Sequence, residues 1–123
     1  MSAPFRQDRS LLNLVHQAER QYSTATATLE QVLGTDSGAE MDTVEGRRDI
    51  VLAFQSDLRA GKSVIEAGDR LCQAKIDYAN ATLGFLTRRE VRKQLKREWT
   101  IVRHAHENGL RGIEGMMLMI STD

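Results

Sequence analysis

The chain has 123 residues, 17 basic and 17 acidic side chains, 41% hydrophobic residues and 28% charged ones. That length suits one domain with a core of its own, and the balance is that of a globular chain rather than a disordered one. The single cysteine, Cys72, excludes an internal disulfide and any zinc site built on two thiolates. Residues 1–9 lack the apolar segment of a secretory leader, and no run approaches the roughly 18 apolar residues of a membrane span. The expectation is a cytoplasmic protein with no membrane partner.

The only proline is Pro4, so nothing after it interrupts a helix by its ring. Residues 1–9 read as an N-terminal extension and residues 10–123 as one helical-bundle domain. In the first predicted helix, Leu11, Val15, Ala18, Tyr22, Ala25, Leu29 and Val32 recur at alternating steps of four and three. That is an unbroken heptad seam for packing against another helix. Asp8 or Ser10 suits its start, and Gly34 suits its end.

Residues 34–42 are polar, contain two glycines and read as a loop. Asp42 and Glu45 have the spacing of a capping box for a second helix carrying Val44, Ile50, Val51, Phe54 and Leu58. Gly61 reads as its stop, and Ser63 with Glu66 as the box opening a third helix. That helix buries Val64, Ile65, Leu71, Cys72, Ile76, Ala79 and Leu83. The alternative is one rod running through Gly61. Gly84 reads as the next stop, and Thr87 with Glu90 as the box opening a helix whose seam is Val91, Leu95, Trp99, Val102 and His106. Ile113, Met116 and Ile120 continue that spacing past glycines at 109, 112 and 115. The fold class is therefore all-α, an antiparallel bundle of three or four helices with coiled-coil-like packing.

Catalytic signals are weak. The stretch from Ser56 to Ser63 ends in Gly61-Lys62-Ser63, like a phosphate-cradling loop, but Ser56 stands where such a loop needs glycine. His104 and His106 are two residues apart, about 200° around a helix, and cannot share a metal ion. Cys72 falls in an apolar stripe, where free cysteine behaves as a small hydrophobe. No general acid, base and pocket come together. The expectation is no enzyme, no cofactor and no metal.

The basic stretch stands above this background. Between residues 88 and 103 lie seven basic side chains against two acids, Glu90 and Glu98. At 100° per residue, Arg88, Arg92, Arg103, Lys96, Arg89, Lys93 and Arg97 fill one arc of about 180°. Glu90–Lys93 is the intrahelical ion pair in reach. Three readings compete: the arc faces Asp57, Glu66, Asp69 and Asp77 of neighbouring helices, or it binds nucleic acid, or it binds an acidic protein. The reading taken forward is a non-catalytic protein–protein interaction module, self-associating, that acts through helix–helix packing as an adaptor, chaperone-like or assembly subunit. A helical protein that binds nucleic acid through the basic face is the alternative.

Overall fold

A computed structural model describes residues 3–33 and 40–121, with side chains described within 9–33 and 40–120. Among the described residues there are three helices and no strand: α1 (Ala3–Leu33), α2 (Val44–Thr82) and α3 (Phe85–Ser121). They contain 31, 39 and 37 residues, so each is about 45–60 Å long at 1.5 Å per residue.

The helices are longer than the local signals imply. α1 starts at Ala3 instead of near Ser10, because Pro4 sits in the first turn, where a missing N–H and a fixed φ are tolerated. The loop expected at 34–42 and its Gly34 stop fall largely outside the described residues. α2 is capped by Thr43 rather than Asp42: the Thr43 hydroxyl accepts from the Gly46 N–H at 2.9 Å.

The division at Gly61 is corrected by the structure, as α2 runs unbroken through it. Gly61 and Gly68 are buried, and a Cβ on either would collide with α3: with the Leu110 side chain at Gly61 and the Trp99 ring at Gly68. These glycines are seats for large side chains, which is a packing role rather than a terminating one. Ser63 does not cap a helix either; its hydroxyl bonds back to the Arg59 carbonyl at 3.1 Å, inside α2. Likewise α3 starts at Phe85, so Thr87 lies within its first turn. Only Leu83 and Gly84 join α2 to α3, and the Leu83 N–H still reaches the Ala79 carbonyl at 2.9 Å.

Contacts across that hairpin fix an antiparallel register: Arg88 with Asn80, Cys72 with Leu95, Trp99 with Gly68 and Asp69, and Leu110 with Gly61. The direction of α1 follows from reach. Tyr22 meets Trp99, which sits at Gly68. A parallel α1 would leave more than about 50 Å between Leu33 and Val44, beyond the roughly 40 Å that the intervening chain covers fully extended. α1 and α2 are therefore antiparallel.

α2 is the central helix. It packs along both α1 and α3, whereas among the described residues no Cα of α1 lies within 8 Å of one in α3. The buried apolar side chains are mostly its own: Leu58, Val64, Ile65, Ala67, Ile76 and Ala79, joined by Val15 and Ala18 of α1. The other seam positions of α1, Leu11, Tyr22, Ala25, Leu29 and Val32, are half-buried. On α3, Val91, Leu95, Trp99 and His106 are half-buried but Val102 is exposed. Met116 is also exposed, and Met117 takes the inward position between Ile113 and Ile120. A 3.6-residue period drifts off a strict seven-residue step over a helix this long.

Gly68→Ala should lower the unfolding free energy by about 1–3 kcal/mol, because a rigid indole has to be displaced by the new methyl. Urea denaturation followed by circular dichroism measures this; an unchanged or raised midpoint would mean that Trp99 does not rest on residue 68.

Candidate functional site

α3 presents three faces. The inward one holds Trp99, whose ring N–H donates to the Asp69 carboxylate at 2.7 Å and whose ring meets Tyr22 edge-on, with centroids 5.9 Å apart. The Tyr22 hydroxyl lies 3.3 Å from His106 Nε2, so α1 and α3 meet here through long side chains. Beside this cluster an apolar cleft of about 200 Å³ opens between α1 and α3, floored by Gly68, Leu71 and Cys72 and walled by Tyr22, Leu95 and Val102. Lys75 and Glu98 also line it.

The basic face comes next around the helix. Arg103 reaches Asp69 at 3.4 Å and Glu107 at 3.0 Å, and Arg111 also reaches Glu107 at 3.9 Å. The intrahelical pair in this region is therefore Arg103–Glu107, about three turns beyond the Glu90–Lys93 pair that spacing offered. Arg88 donates to the Asn80 carbonyl at 3.4 Å and lies over the Phe85 ring, 5.3 Å from its centroid. Arg89, Arg92, Lys93, Lys96 and Arg97 are exposed. Among the described residues, none of these five, nor Arg88, has a carboxylate within 4.0 Å.

Among the described residues, neutralisation by the neighbouring helices is thus confined to Asp69 with Arg103. Asp77 accepts from Gln73 at 2.8 Å instead, and Glu66 is exposed. Asp57 is half-buried with its carboxyl pushed up by desolvation, and it makes no ion pair among the described residues. At the hairpin end, Asn80, Phe85, Arg88, Arg89 and Arg92 surround an open hollow. Phe85 and Leu86 protrude there, 66% and 74% exposed.

The third face points outward along the second half of α3. Ile101, Ala105, Asn108, Gly112 and Gly115 recur at steps of four, three, four and three, with Val102, Gly109 and Met116 beside them. All are exposed and none is charged. A Cβ at Gly109, Gly112 or Gly115 would meet nothing within 4 Å, in contrast to Gly61 and Gly68. These glycines stand out in the sequence, but the seam they share with Ile101 and Ala105 shows only through its steps of four and three.

The weaker chemical signals do not assemble. Gly61-Lys62-Ser63 lies in continuous helix, so there is no loop there to wrap a phosphate. His104 is exposed, while His106 faces Tyr22. Among the described residues no three His, Cys, Asp or Glu side chains could hold one metal ion. The Cys72 thiol is pushed up, first by burial and then by the nearby Asp69 charge, the opposite of what a nucleophilic thiolate requires.

A search against protein-family models finds no match, and comparison with curated proteins and with solved structures finds none either.

Reversing Arg89, Lys93 and Lys96 together to glutamate should move the melting temperature by no more than about 3 °C, since exposed unpaired charges contribute little to stability. Arg103→Glu should lower it, because it places a third carboxylate between Asp69 and Glu107. Thermal melts read by circular dichroism check both; collapse of the triple variant would mean that acids of the bundle face the stripe.

Proposed function

We propose that this chain is a non-catalytic interaction module that works by helix–helix packing, as an adaptor, chaperone-like or assembly subunit, with a second copy as its simplest partner. The observation that carries the reading is the uncharged outer face of α3 from Ile101 to Met116, with three glycines open to space. Each glycine costs an exposed helix about 1 kcal/mol relative to alanine. Among the described residues no side chain fills the space beside them, whereas Gly61 and Gly68 are matched by Leu110 and Trp99. A partner backbone approaching closely would use the missing side chains, and coiled-coil-like packing would follow from the steps of four and three.

No helix is long and apolar enough to cross a membrane among the described residues. A reducing, cytoplasmic setting agrees with the single cysteine. The alternative, nucleic acid on the basic face, has less support: Trp99 is turned inward and no other aromatic lies between residues 88 and 103 for stacking on bases.

Light scattering at high micromolar concentration should return at least twice the 13.8 kDa chain mass. Ile101→Glu combined with Met116→Glu should return the monomer with helicity retained. Gly112→Ala should act in two directions, raising the stability of the isolated chain by about 0.5–1 kcal/mol through helix propensity while weakening association. A wild-type monomer at that concentration contradicts the self-association reading.

A further inference from the structure

We infer that the hairpin end of the bundle docks on anionic lipid surfaces, with Phe85 and Leu86 entering the headgroup region and the basic face of α3 lying along it. This uses a different face from the packing seam and stands independently of it. Three observations converge. First, among the described residues Phe85 and Leu86 are the two most exposed large hydrophobic residues at this end, and Leu83 beside them is 36% exposed. They flank a connection of only two residues, so they sit at the tip of the α2–α3 hairpin.

Second, the apolar tip and the charge share one face. Taking Arg88 as the origin, Phe85 falls about 60° and Leu86 about 160° around α3, inside the arc that Arg88 to Arg97 fill. Glu90 and Glu98 fall outside that arc, at about 200° and 280°. From Phe85 to Arg97 this face is about 18 Å long and carries two apolar side chains followed by six basic ones and no acid.

Third, among the described residues none of the six cations has a carboxylate within 4.0 Å. Basic clusters of this size next to apolar side chains match the negative potential and the apolar boundary of a bilayer containing anionic lipid. Arg88, held over the Phe85 ring and bonded to Asn80, keeps the aromatic group and a cation together at the leading end. An aromatic ring is favoured at headgroup depth, where one side is wet and the other apolar. Nucleic acid would use the charges but leave Leu86 without a role. The chain lies on the surface in this arrangement and does not span it.

Sedimentation of the full chain with vesicles tests the proposal. One set is phosphatidylcholine alone; the other contains 30% phosphatidylserine. Binding is expected to the second set and to be weaker at higher salt. Phe85→Ser with Leu86→Ser should weaken it about tenfold or more. Arg89, Lys93 and Lys96 reversed to glutamate should weaken it more than about 100-fold, at about fivefold for each basic residue lost. Both variants should keep the wild-type melting temperature; if one does not, Phe85→Tyr and Lys93→Gln replace it as milder probes, with smaller losses in the same order. Three results overturn the proposal: no binding to the phosphatidylserine vesicles, binding undiminished by loss of Phe85 and Leu86, or tighter binding to duplex DNA than to the vesicles at the same salt.

Discussion

The indole of Trp99 lies against the bare backbone of Gly68, donates its ring N–H to Asp69 and meets the Tyr22 ring edge-on, so one side chain of α3 touches both other helices. Its position depends on a missing methyl group in α2. A second seat seven residues away, Gly61 beneath Leu110, repeats the device two turns along. Together they set how closely α3 approaches α2 and in what register. α1 meets α3 through Tyr22, which touches both Trp99 and His106. The bundle is packed along both sides of α2 and open between α1 and α3, where the apolar cleft lies.

With its inward face settled by those seats, α3 has two further faces of opposite character. One is cationic and begins at the exposed hairpin tip; the other is uncharged and lies further along the same helix. They are separated both along and around the rod. The ion pairs of α3 lie at its middle, where Arg103 and Arg111 share Glu107 and Arg103 also reaches Asp69. Toward the tip the basic residues have no such partners among the described residues. That distribution turns a chain of zero formal net charge into one with a locally strong positive field.

Helical class was legible because apolar residues at steps of three and four leave no other regular structure able to bury them on one side. The number of helices was not. A glycine that ends a helix and a glycine that seats an indole read alike in one sequence, since the deciding atoms of Trp99 are 31 residues away from Gly68. The pairs Ser63–Glu66 and Thr87–Glu90 have capping-box spacing, but residues three apart also share one face inside any helix, and both pairs lie within helices here. The basic arc could be drawn from the sequence, yet its lack of acidic partners could not, because that depends on where Asp57, Glu66 and Asp77 fall across the bundle. The exposure of Phe85 and Leu86 was hidden for a similar reason: helix α3 begins two residues earlier than Thr87, and the apolar pair becomes its first turn.

If Gly68 exists to seat Trp99, its substitution should change sign when the ring is removed. The decisive measurement is a double-mutant cycle by urea denaturation, comparing Gly68→Ala in the wild type and in a Trp99→Ala background. The account predicts destabilisation in the first and stabilisation of about 0.5–1 kcal/mol in the second, where only helix propensity remains. Equal destabilisation in both backgrounds would contradict it, for then the glycine would serve something other than the contact that organises the three helices.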